Sequence, residues 1–123
     1  EKLELGIKIN DLRITDHWIN DNKESWNSIK RAARTRLTHK SDPKNLIKQL
    51  LARKKHNTYK DLPNIDIPVF LLGGKYDGIA PVSNMKAMHQ QIRQSRLEFY
   101  EGGHLFLLQD KRAFKDISDW LLL

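Results

Sequence analysis

Pro68 and the apolar run behind it, Val69-Phe70-Leu71-Leu72, constrain this chain more than any other segment. A short unbroken apolar stretch closed by Gly73-Gly74 suits a strand covered on both faces, as in a parallel sheet. The pattern then changes period. Pro81 and Ser83 open a stretch in which Met85, Met88 and Ile92 share one helical face. A second short strand is predicted at Leu97, Phe99 and Tyr100, and Gly102-Gly103 breaks it. Asp110 is placed to cap a last helix with apolar positions Phe114, Ile117, Trp120 and Leu121. Strand, helix, strand, helix is the order of a parallel βα arrangement, so the fold class is α/β. Two strands cannot make such a sheet alone, because edges and one face would stay open to water. More strands are expected from elsewhere.

The first half reads differently. Leu3, Leu5, Ile7 and Ile9 alternate with other residues, as in a half-buried strand, while Lys2, Glu4 and Lys8 also suit a frayed terminal segment. From Asp16 to about Thr38 the pattern is helical, with Ile19, Trp26, Ile29, Ala33 and Leu37 on one face. Lys30, Arg31, Arg34 and Arg36 load its later turns, where cations suit the helix dipole. A further helix starts at Asp42, a natural N-cap, with Pro43 at the first helical position. Leu46, Ile47, Leu50 and Leu51 form its apolar face, and Arg53-Lys54-Lys55 its solvated end. His56 to Pro63 is a connector. The net charge of +7 comes wholly from this half: residues 1–62 carry 15 Lys and Arg against 8 Asp and Glu, and residues 63–123 carry 7 against 7. The uneven charge suggests that the two halves do different work, although a solvated helical surface is the plainer reading of the excess.

Functional groups of open parallel sheets gather at the C-terminal ends of the strands. Two such ends are present: Gly73-Gly74-Lys75-Tyr76-Asp77-Gly78-Ile79-Ala80-Pro81 and Glu101-Gly102-Gly103-His104. Each sets glycines beside a titratable residue. Taken singly, Asp77 is a turn-forming aspartate and His104 a loop histidine. Taken as a spaced pair at two strand ends, they point to chemistry.

The run Ile65-Asp66-Ile67-Pro68 leading a strand into Gly74-Lys75-Tyr76-Asp77-Gly78-Ile79-Ala80-Pro81 resembles the α/β-hydrolase pattern "I-x-x-P" then "G-x-x-D-x-x-x-P". Gly103-His104, 27 residues after Asp77, resembles the "G-H" that carries that family's histidine. The closing Ile117-Ser118-Asp119-Trp120-Leu121 resembles its last helix. The likeness covers roughly residues 58–123. It implies that Asp77 is the triad acid and His104 the general base, that a small-molecule acyl substrate (ester, thioester or amide) is hydrolysed, and that no cofactor is needed. It also implies that residues 1–57 are a helical, basic cap over the site.

One departure carries equal weight. The family's nucleophile sits on "G-x-S-x-G", and none of Ser25, Ser28, Ser41, Ser83, Ser95 and Ser118 has glycines at that spacing. Family order runs Ser, Asp, His, so the nucleophile, the oxyanion-hole donors and the central strands are expected upstream of Glu1. The chain is then a C-terminal fragment, inactive alone, whose partner is the remainder of the hydrolase core. Homo-oligomerisation is the other route to a completed sheet. A second reading is a non-catalytic, hydrolase-like module, or the remnant of one, that binds an acidic protein, a membrane surface or nucleic acid through its basic half. No nucleic-acid motif or interleaved aromatics appear, so no nucleic-acid partner is expected. No apolar run is long enough for a membrane span. The absence of cysteine excludes disulfides and thiolate chemistry and suits a cytoplasmic location. His17, His39, His56 and His89 lack metal-ligand spacing, so no metal is expected. Trp18 and Trp26 are expected to pack rather than to line a pocket.

Overall fold

The computed structural model describes residues 1–36 and 42–122. The chain is mixed helix and strand: α1 (Lys2–Asn10), α2 (Asp16–Asp21), α3 (Lys23–Arg36), α4 (Pro43–Lys54), a 3₁₀ helix (Tyr59–Asn64), β1 (Val69–Gly74), α5 (Val82–Gln91), β2 (Ser95–Tyr100), α6 (Phe106–Gln109) and α7 (Arg112–Leu121). No helix among the described residues is long and apolar enough to cross a membrane.

The second half folds as its period predicts. β1 and β2 pair in parallel, from Val69 with Ser95 to Gly74 with Tyr100, so both strands end at the same level. Side chains alternate across the pair. Gly73 faces α5: a Cβ there would lie 3.4 Å from Met85 Cγ. Phe70 faces the other way, its ring 5.3 Å from that of Trp120 on α7, and Tyr100 donates its hydroxyl hydrogen bond to Asp116 at 2.8 Å. α5 and α7 therefore cover opposite faces of the strand pair. Met85, Ile92, Tyr100 and Ala113 are buried there.

Each strand keeps one edge without a strand partner among the described residues. No large side chain among them is fully buried, while Phe114 and Leu121 of α7 stand 55% and 76% exposed. The core is thin because two strands offer it little area.

The N-terminal segment departs from expectation. The predicted strand over Leu3–Ile9 is helix α1. A strand needs a neighbour for its backbone groups, whereas a helix satisfies them within the segment. The same residues also carry a helical face, because Leu3, Ile7 and Asn10 fall at spacings of four and three. Ile7 is buried, while Leu5 and Ile9 on the opposite side are exposed. Glu4 pairs with Lys30 at 3.6 Å and Lys8 with Asp16 at 2.5 Å, tying α1 to α3 and to the start of α2.

The single helix expected from Asp16 to Thr38 is two helices, broken at Asn22. Asn22 Nδ2 donates to the Trp18 carbonyl at 2.9 Å, a local bond that competes with helix continuation. Trp26 is buried on α3, as expected, and Trp18 is half-buried. Leu37, Thr38, His39 and Ser41 lie outside the described residues. α4 begins as predicted, with Asp42 accepting from the Lys44 N–H at 2.9 Å and Pro43 inside the first turn. Its apolar residues Leu46, Ile47, Leu50 and Leu51 are 47–61% exposed, so the face exists but packs on nothing described. The expected connector at His56–Pro63 contains the 3₁₀ turn, and α6 has no counterpart in the sequence reading.

This distribution predicts an asymmetry. Ile92, 4% exposed between α5 and the sheet, should cost about 2–4 kcal/mol when cut to alanine, by transfer and cavity effects together. Leu50→Ala on the outside of α4 should stay within about 0.5 kcal/mol of wild type. Urea unfolding of the two variants in the full-length protein measures the contrast.

Candidate active site

Parallel register brings the ends of β1 and β2 side by side, and the loops leaving them carry Asp77 and His104. His104 Nδ1 and Asp77 Oδ2 are 2.9 Å apart. The two residues singled out in the sequence are thus in direct contact. The Asp77 side chain is 4% exposed and that of His104 43%. The acid is sequestered and the imidazole reaches solvent.

Asp77 is built as an anion. Its other oxygen, Oδ1, accepts the backbone N–H groups of Ile79 at 2.7 Å and Ala80 at 2.9 Å. Burial alone would push its carboxyl upward. The bonds from the Ala80 N–H, the His104 ring and the Ile79 N–H outweigh burial and hold it below the ordinary carboxylate value. A carboxylate on Oδ2 calls for a proton on His104 Nδ1. The lone pair of the imidazole then sits on Nε2, which has no hydrogen-bond partner among the described residues. That nitrogen is free to take a proton from a nucleophile.

Close backbone contact sets this geometry. A Cβ on Gly74 would lie 2.1 Å from the Gly103 carbonyl oxygen, and one on Gly103 only 2.0 Å from that of Asn10. Both positions must lack a side chain for the three segments to meet. The third segment is the end of α1, whose role the sequence reading missed. The Ile9 carbonyl accepts from Gly78 N–H at 3.0 Å, the Asn10 carbonyl from His104 N–H at 2.6 Å, and Leu12 N–H donates to the Tyr76 carbonyl at 2.9 Å. Residues 9–12 therefore bridge the acid loop and the histidine loop. A side-chain chain reinforces the bridge: Gly103 N–H donates to Gln109 Oε1 at 2.8 Å, and Gln109 Nε2 donates to Asp11 Oδ2 at 3.1 Å.

Three aspartates are buried, Asp11, Asp77 and Asp110, and each accepts the N–H of the residue two places on. In two of them that residue is an arginine. Arg13 closes on both oxygens of Asp11, at 2.9 and 2.6 Å, and Arg112 on both of Asp110, at 3.0 and 2.5 Å. Those carboxylates are consumed in ion pairs. Asp77 has Ile79 at the same position, and its second oxygen is left for His104. The Asp-x-Arg spacing was the available signal for the two structural aspartates.

Among the described residues the remaining histidines form no comparable group. His89 Nδ1 lies 2.8 Å from Ser95 Oγ, but that hydroxyl donates to the Ile92 carbonyl at 2.6 Å and the pair sits at the opposite end of β2. His17 faces Asp21 at 3.5 Å on the outside of α2. Among the described residues no three His, Asp or Glu side chains are gathered as metal ligands. No serine or threonine among them is hydrogen-bonded to His104. No protein-family model matches the chain, and no curated protein matches it in sequence.

The depressed carboxyl of Asp77 has a pH signature. Its native value lies below its unfolded value, so the stabilisation is complete above the unfolded value of about 3.9 and fades as pH falls through the native one. The stability lost on Asp77→Asn should therefore shrink as pH falls below about 4. Urea titrations of both proteins at stepped pH read this. A gap that goes on widening below about pH 4 would contradict the ionised assignment.

Proposed function

We propose that this chain is the C-terminal part of an α/β-hydrolase and supplies the acid and the base of a Ser-His-Asp relay. The observation that carries the reading is the Asp77–His104 bond at the ends of two adjacent parallel strands, with Nε2 unengaged. The resemblance of residues 65–81 and 103–104 to the family's motifs supports the same assignment. So do the open strand edges and the exposed apolar face of α7, which a larger sheet would cover.

In this reading a serine hydroxyl from outside residues 1–123 attacks the acyl carbonyl, and His104 Nε2 takes its proton. Asp77 holds the ring by Nδ1–H and stabilises the imidazolium that results. The protonated Nε2 then delivers that proton to the departing alkoxide, thiolate or amine. A water molecule then attacks the acyl-enzyme and gives its proton to Nε2, which passes it to the departing serine oxygen as the carboxylic acid is released. The oxyanion donors lie outside the chain as well, in keeping with the missing elbow sequence. Residues 1–57 serve as a cap whose first helix reaches the relay directly.

The test uses the full-length protein and p-nitrophenyl acetate. His104→Ala should lower kcat/KM by about 100-fold or more, the scale of a lost general base. Asp77→Asn should also lower it, because an amide no longer fixes the Nδ1–H tautomer. Circular dichroism of each variant reports the fold. Undiminished hydrolysis by a folded His104→Ala protein would remove the role given to the histidine.

A further inference from the structure

Between α1 and α3, on the side of the His104 loop, lies a cavity of 610 Å³. That volume is within the range of small-molecule sites. Its wall is mainly apolar, built from Leu3, Gly6 and Ile7 of α1, Ile29 and Ala33 of α3, and Leu105. The polar groups at its inner end are already engaged: Asp11 is bound by Arg13 and by Gln109, and the Asn10 amide donates to the Gly6 carbonyl at 2.7 Å. They do not call for a polar ligand. That inner end adjoins the relay, since Leu105 follows His104 and the Asn10 carbonyl holds the His104 N–H. From Asn10 to Lys2 the cleft follows α1 for about 12 Å, eight residues at helical rise.

Gly6 is the feature that the fold does not explain. Glycine is among the least favourable residues inside a helix. No positive φ requires it here, and a Cβ at Gly6 would meet nothing within 4 Å. What the missing side chain leaves is room in the cleft. We propose that this cleft binds the unbranched apolar chain of the acyl substrate, and that Gly6 sets the chain length it accepts. The inference rests on the hydrolase reading for its catalytic consequence, and on the cavity alone for binding.

The experiment compares p-nitrophenyl butanoate with p-nitrophenyl decanoate, using the full-length protein and the series Gly6→Ala, Gly6→Leu and Gly6→Phe. The expected result is a graded loss on decanoate relative to butanoate, about 10-fold or more in the ratio of kcat/KM values for Gly6→Phe. Gly6→Ala adds only a methyl and removes a helix glycine, so it keeps the comparison available if the largest variant fails to fold. Equal loss on both esters, or none on either, overturns the proposal. Equal loss is also the outcome expected if another segment or a second copy of the chain fills the cleft. Calorimetric binding of decanoate to the full-length His104→Ala protein, with and without Gly6→Phe, separates the two readings. If His104 proves dispensable for hydrolysis while Gly6→Phe still abolishes decanoate binding, the catalytic reading falls and the cleft stands. If decanoate does not bind, the cleft assignment falls whatever the role of His104.

Discussion

Three stretches of backbone meet at one point in this molecule, and the Asp77–His104 contact depends on that meeting. Gly74 at the end of β1, Gly103 after β2 and the Asn10 carbonyl at the end of α1 are so close that a single methyl group on either glycine would overlap a carbonyl oxygen. The contact draws the two loops together and seats the helix end on them. The Asp77–His104 distance is a consequence of it. A 2.9 Å bond between residues 27 apart in sequence survives only where rigid elements hold both ends.

The electrostatics are settled by a difference of one residue type. Asp11, Asp77 and Asp110 share the same local turn, with one oxygen on the N–H two residues ahead. Where arginine follows at that spacing, the carboxylate is neutralised and acts as a brace. Where isoleucine follows, the carboxylate keeps an oxygen for a partner from another loop. Ionisation of Asp77 is supported by the Ala80 and Ile79 N–H groups and by the His104 ring rather than by an arginine, so its charge stays available to the imidazole. An arginine at position 79 would compete with His104 for the same oxygen.

The parts of this arrangement that were legible in the sequence are those governed by local rules. The Val69–Leu72 run, the Asp42-Pro43 start of α4 and the glycines after each strand follow from propensity and capping, and each element formed where its residues called for it. The acid–histidine pair was legible because parallel strands of equal register must end together. The end of α1 was not legible. An alternating Leu3-Leu5-Ile7-Ile9 pattern satisfies the period of a strand and, at Leu3, Ile7 and Asn10, also the period of a helix. Which of them forms depends on what packs against the segment, and that is a tertiary fact. Its consequence reached further than secondary structure, because a strand there would have supplied none of the carbonyls that hold Gly78 and His104.

The same reasoning separates two kinds of exposed apolar surface. Leu46, Ile47, Leu50 and Leu51 lie along an outer helix face with nothing opposite them. The cleft between α1 and α3 is lined from both helices and by Leu105 next to the histidine. A lone face stays in water unless a partner arrives, whereas a walled cleft excludes water from any chain that enters it. Its position follows from the helix that displaced the predicted strand. The turn of chain that bridges the Asp77 and His104 loops is continuous with the helix that carries Gly6, so one element lines the cleft and holds the two loops together.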